Sequence, residues 1–109
     1  MIKYSIAISY TDTPGPRYEN EGEFSGEHFR KTVLLSLVKE ALKKSEKIEL
    51  NLDGGYGYPT SFLEEAFGGL IRELKDTNLL NMFIFISDEE PALIDEIKTY
   101  MTAASEALK

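Results

Sequence analysis

Segments with the two-residue period of a strand alternate along this chain with segments of helical period, and that alternation limits its folds more than any other feature. Ile2 to Tyr10, IKYSIAISY, sets Ile2, Tyr4, Ile6 and Ile8 on one face, as in a half-buried strand. Thr11-Asp12-Thr13-Pro14-Gly15-Pro16 stops it, because proline cannot continue a ladder. Arg17 to Gly26, RYENEGEFSG, is polar and glycine-punctuated and reads as a loop, with room for a short edge strand around Arg17-Tyr18. Phe29, Val33, Leu37, Val38, Ala41 and Leu42 then recur at helical spacing. An amphipathic helix is expected from Gly26 to about Lys44, with Ser25 as its cap. Lys47 to Asp53 returns to alternation, turning Ile48, Leu50 and Leu52 inward as a second strand.

After Gly54 to Pro59, the residues Leu63, Ala66, Phe67, Leu70, Ile71 and Leu74 form a second helical stripe that should end near Asp76-Thr77-Asn78. Met82 to Ser87, MFIFIS, is a near-continuous apolar run, the pattern of a strand covered on both faces. Ser87-Asp88-Glu89-Glu90-Pro91 should open the last helix with a cap, acids at the positive end of the dipole and a first-turn proline. Leu93, Ile94, Ile97, Tyr100, Met101 and Ala104 would be its buried side. Strands alternating with helices imply βα crossovers. The expectation is a single α/β domain over residues 1–109: a small mixed sheet of three to four strands, mainly parallel, covered by about three helices. A fourth, antiparallel strand would come from the loop before the first helix.

Composition removes several classes of function. With 42% hydrophobic and 28% charged residues the chain reads as soluble and globular, and a length of 109 residues suffices for one core. The absence of cysteine removes disulfides, thiolate metal sites and cysteine nucleophiles, and fits a reducing cytoplasm. No apolar run approaches the roughly 20 residues of a membrane span, and Met1-Ile2-Lys3 leads into a strand rather than a signal peptide, so a cytoplasmic address away from the membrane is expected. A net charge of -7 repels phosphate backbones, which argues against nucleic-acid binding. His28, the one histidine, falls in a polar first turn and suits solvation or capping better than general-base work. Glu64-Glu65 and Glu89-Glu90 are neighbours pointing about 100° apart on a helix, so they read as first-turn dipole partners rather than a catalytic pair. No metal-spaced cluster or cofactor fingerprint is present, and no enzymatic activity is expected.

The stretch from Leu50 to Leu74 carries the candidate site. Gly54-Gly55-Tyr56-Gly57-Tyr58-Pro59 suits either a turn joining strand to helix, with tyrosines open to a partner, or a weak phosphate cradle that lacks the P-loop lysine. Ser61 with Glu64 fits a capping box, while a hydroxyl at a helix start could equally be modified or bind an anion. Gly68-Gly69 inside the helix costs about 0.5–1 kcal/mol per glycine relative to alanine, so something approaches that backbone closely: the sheet in preference to a partner.

Leu52-Asp53-Gly54-Gly55 through Gly57-Tyr58-Pro59-Thr60-Ser61-Phe62-Leu63-Glu64-Glu65-Ala66-Phe67-Gly68-Gly69-Leu70 resembles the signature of the bacterial STAS-like domain family of unknown function. Gly15-Pro16-Arg17-Tyr18 and Ser25-Gly26-Glu27-His28-Phe29-Arg30 are similar to its other recurrent segment, so the resemblance spans nearly the whole chain. STAS domains proper include anti-sigma-factor antagonists, in which a partner kinase phosphorylates a hydroxyl at the start of the helix after a central strand. The resemblance implies a STAS-like fold and a non-enzymatic regulatory module. By that analogy Thr60 and Ser61 are the candidate phosphorylation sites, with Pro59 and Phe62 standing where the antagonists carry an aspartate and a small glycine. The implied partner is a protein, of the kinase-type anti-sigma class, met through Gly54, Gly55, Tyr56, Gly57, Tyr58, Pro59 and Phe62 and the helix that follows. The alternative is a small-ligand or nucleotide module in which the same loop amides hold an anionic group and Arg17 or Arg72 supplies charge. Self-association through the first strand would require that strand to lie at a sheet edge.

Overall fold

The computed structural model describes residues 1–109. Three strands, β1 (Ile2–Ser5), β2 (Ile48–Asn51) and β3 (Phe83–Ile86), form one sheet in the order β1-β2-β3, with both neighbouring pairs parallel. Ile2, Ile48 and Phe83 stand side by side in one row, and Tyr4, Leu50 and Phe85 in the next but one. Backbone bonds extend the central ladder past its ends, from Ile2 N to Lys47 O and from Leu52 N to Ile86 O.

The first strand is shorter than its alternation suggests. Ser5 takes an extended conformation and its hydroxyl accepts from Ile8 N, capping a single-turn helix α1 (Ile6–Ser9). Ile6 still enters the core, but Ile8 leaves the expected inward face and is 88% exposed. From Thr11 to Ser25 the chain runs as a loop holding one 3-10 turn (Glu19–Glu21), and Arg17-Tyr18 adds no strand to the sheet.

Helix α2 (residues 26–44) begins where Ser25 Oγ accepts from His28 N, the expected cap, and ends at Ser45 in the left-handed conformation. Its middle, Arg30–Leu34, is a π turn. The longer i→i+5 bonding puts Leu34, not Val33, beneath Phe29, so Leu34, Leu37, Val38 and Ala41 are buried while Leu42 faces solvent. Helix α3 (residues 60–74) has a π turn at Glu64–Gly68 and stops at Lys75, also left-handed and just short of the expected Asp76. Helix α4 (Ala92–Ala107) buries Leu93, Ile97, Met101 and Ala104 as the stripe implies. Its start is built differently from expectation. Pro91 is the cap residue, and the Ser87 hydroxyl donates to Glu90 O instead of accepting a helix amide.

Two same-direction parallel crossovers, right-handed as such connections are, bring α2 and α3 to the same side of the sheet. Helix α3 packs between α2 and α4, and for that reason it is buried almost all round from Phe62 to Ile71. Phe67 is its central side chain, edge-on to Phe83, Phe85 and Phe29. The start of α2 presses directly on α3: a Cβ at Gly26 would lie 2.5 Å from Phe62 O. The opposite sheet face is open. Lys3, Glu49 and Ile84 form a row across it, and Ile84 is 38% exposed, so β3 is apolar without being covered on both faces.

Phe67→Ala should therefore cost about 3–5 kcal/mol, the range for emptying a buried aromatic site. Urea unfolding with an unchanged m-value checks this, and a loss below about 1 kcal/mol would contradict Phe67 as the core's centre.

Candidate functional site

The expected loop residues, 54–59, follow the C-terminal end of β2, where loops of parallel sheets gather, whereas Arg17 lies in the 11–25 loop and Arg72 in the last turn of α3. They do not all serve one purpose. Gly54 has φ of 94° and Gly57 of 122°, conformations that glycine adopts at little cost, and between them the chain throws Tyr56 outward to 85% exposure. The loop is nonetheless tied down. Gly54 N donates to Glu89 Oε1 at 2.6 Å, Tyr56 N to Asp12 O at 2.9 Å, and Tyr58 OH to Leu52 O at 3.0 Å. A Cβ at Gly55 would lie 3.1 Å from Asp12 O, so that glycine lets the loop lie against the β1-side loop. Asp53 completes the stitching by accepting from Asp88 N and Glu89 N at 3.1 and 3.0 Å. Burial, then the charges of Asp53 and Glu89, raise the Tyr58 phenol pKa, which keeps it a neutral donor.

Pro59, extended, is the cap residue of α3, and Thr60 and Ser61 are its first two helical residues. Neither hydroxyl caps the helix, so the capping box expected of Ser61 and Glu64 is not formed. Thr60 is exposed, Ser61 half-buried, and Phe62 fully buried against Phe29 and Tyr58. Phe62 thus holds the loop from beneath and offers a partner no surface.

Glu64 points instead toward Arg72 at 2.7 Å and Arg17 at 2.6 Å. Arg17 also reaches Glu65 at 3.4 Å, and the buried Arg30 bonds Glu65 Oε2, Glu65 O and, through Nε, Glu73. Burial alone would lower the Arg30 pKa, but its bonds to Glu65 and Glu73 outweigh that, and the guanidinium is held charged. Six charges therefore alternate in one chain across the 11–25 loop, α2 and α3. Gly68-Gly69 is the space they occupy: a Cβ at Gly69 would stand 2.6 Å from Arg30 Nη1, and one at Gly68 2.5 Å from Glu64 Oε2. The close approach comes from side chains of this network, not from the sheet. Adjacent acids beside a glycine pair in mid-helix were the signal that could have revealed it.

The anion reading finds little here to favour it. The amides of Gly54 and Tyr56 are spent inside the fold, Arg17 and Arg72 are both engaged by Glu64, and the crevice beside the loop is walled by Asp53, Glu89 and Glu90. His28 shares a 2.6 Å hydrogen bond through Nδ1 with Tyr10 OH, whose pKa is pushed up to about 12, first by burial and then by Tyr4 and Glu19. No group of three or more His, Cys, Asp or Glu side chains is arranged to hold a metal, and no helix is long and apolar enough to cross a membrane.

The model of one protein family, described as the STAS-like domain of unknown function (DUF4325), matches residues 25–93, from the cap of α2 to the first turn of α4. No curated protein and no solved structure matches the chain.

Two outcomes test the charge network. Gly69→Ala should destabilise by about 1–3 kcal/mol despite alanine's better helix propensity, because it evicts a buried, paired arginine. Gly68→Ala, which displaces the ends of the partly exposed Glu64 and Arg72, should fall within about 1 kcal/mol of wild type in the same urea titration. The Glu64 carboxyl is held below its ordinary pKa of 4.5, first by Arg72 and then by Arg17, against the opposing effect of burial. Its contribution to stability is therefore present above that pKa and lost as pH falls through the lower folded value. Unfolding midpoints followed into acid should decline less steeply for Glu64→Gln than for wild type.

Proposed function

The chain belongs to the STAS-like domain family of unknown function, and on that premise we propose that it is a non-enzymatic regulatory module that binds a partner protein through the loop at residues 54–60. Membership points to a regulatory, non-catalytic role. The observation that carries the finer reading is Tyr56: a large amphipathic side chain, 85% exposed, at the tip of a loop whose backbone is fixed by bonds to Asp12, Glu89 and Leu52. Exposed tyrosine on a pre-organised loop is the composition of a binding hot spot, because little freedom is left to lose on docking.

The surface is narrower than the segment named from sequence. Tyr56, Gly57, Pro59 and Thr60 are exposed, while Phe62 and most of α3 are committed to the core. The partner class is that of the antagonists, a kinase-type anti-sigma factor. Thr60 and Ser61 are proposed as its switched hydroxyls, and their freedom from capping supports this, since a phosphate there would disturb no helix cap. A phosphate on Thr60 would add negative charge at the edge of the loop and so change the affinity of a docked partner.

Tyr56→Ala should leave folding stability within about 0.5 kcal/mol of wild type. Tagged wild-type and Tyr56→Ala chains, isolated from the native cell and compared by quantitative mass spectrometry, should differ in one co-purifying protein that the variant loses. The same spectra report phosphate on Thr60 or Ser61. Identical co-purification profiles would sink the partner reading, and aspartate and alanine at Thr60 and Ser61 with equal partner affinity would sink the switch alone.

A further inference from the structure

We infer that the partner of this surface presents a basic face around an apolar recess, and that Ile8 and Tyr56 are the two side chains that enter it. The inference rests on the reading that the 54–60 loop docks a protein, and it identifies that partner's chemistry.

Ile8 and Tyr56, 88% and 85% exposed, are the two most exposed large hydrophobic residues of the chain. Separate exposed side chains are ordinary; these stand on adjoining elements, Ile8 on α1 and Tyr56 on the loop after β2. A Cβ at Gly54 would touch the Ala7 side chain at 3.3 Å, and Tyr56 N donates to Asp12 O across the same seam. The backbone around Ile8 is also tied down. Its own amide bonds the Ser5 hydroxyl, and the amides of Tyr10 and Thr11 both return to Ile6 O. Two apolar projections on fixed backbone dock with only their side-chain freedom left to lose.

The frame around them decides the occupant. Asp12, Asp53, Asp88, Glu89 and Glu90 belong to the three loops that meet here, and the ion pairs of the chain all involve other carboxylates. Asp53 and Glu89 are occupied in stitching the loops together. Asp12, Asp88 and Glu90 are exposed. Five like charges on one rim repel nucleic acid and anionic lipid and each other, and a basic protein face relieves that repulsion on docking while steering the encounter.

The test uses a random peptide library displayed on phage, selected on the immobilised wild-type protein and counter-selected on Ile8→Ser/Tyr56→Ser. That double variant keeps all five carboxylates and so discards peptides held by charge alone. Tyr56→Ser by itself replaces it if the double variant fails to match the wild-type urea midpoint. Surviving peptides should combine Lys or Arg with aromatic or aliphatic residues. Their affinity for Asp12→Asn/Asp88→Asn/Glu90→Gln, which spares the stitching acids, should fall at least about ten-fold at low ionic strength and lose most of its salt dependence. Survivors without basic enrichment, or indifferent to the neutralised rim, overturn the basic partner and leave the docking loop standing. An absence of survivors overturns both.

Discussion

The pairing of Arg30 with Glu65 is the constraint around which the rest of the molecule is arranged. Both side chains are nearly out of solvent, and two buried charges are tolerable only when their hydrogen-bonding capacity is filled. Arg30 meets that requirement by bonding the Glu65 carboxylate, the Glu65 carbonyl and Glu73, which fixes the spacing of α2 against α3. The guanidinium needs room, and Gly69 provides it. Glu65 needs a second cation, and Arg17 supplies it from the loop, whose return is also fixed by Gly26 N to Pro16 O and Glu27 N to Arg17 O. A helix pair, a glycine and a long loop are thus consequences of one desolvated ion pair.

Charge is distributed unevenly as a result. On the α2–α3 side three arginines and three glutamates neutralise one another, and that network carries no net charge. At the C-terminal ends of the strands the acids work on backbone amides, which stiffens three loops without cancelling any charge. The first region is built for rigidity. The second combines rigidity with an uncompensated field, a combination suited to recognition.

Strand and helix order was legible in the sequence because burial imposes periods: Ile48, Leu50 and Leu52 alternate, and Leu93, Ile97, Met101 and Ala104 recur each turn. What escaped was the chemistry of polar residues. IKYSIAISY alternates throughout, but Ser5 bonding Ile8 N turns its second half into a helix, a local competition that period counting ignores. MFIFIS suggested a strand covered twice, and only the absence of a helix on the far face, a property of crossover handedness, leaves Ile84 in solvent. Ser61 looked like a cap, whereas Pro59, two residues earlier, is the cap residue, so Ser61 lies inside the first turn and Glu64 turns to the arginines. A loop does join strand to helix at Gly54 to Pro59, as expected, but the direction of Phe62 depended on α3 lying between two other helices. No single segment encodes that.

The π turn in α2 has a consequence for how this chain can change. A turn bonded i→i+5 holds one residue more than α-helical geometry needs, so the two halves of the helix are phased separately. Shortening residues 30–34 by one would leave an unbroken α-helix with its two halves still in phase, whereas closing the wide turn at constant length would rotate everything before it by about 100° relative to the sheet. The width of that turn is the dial that aims Arg30 and His28.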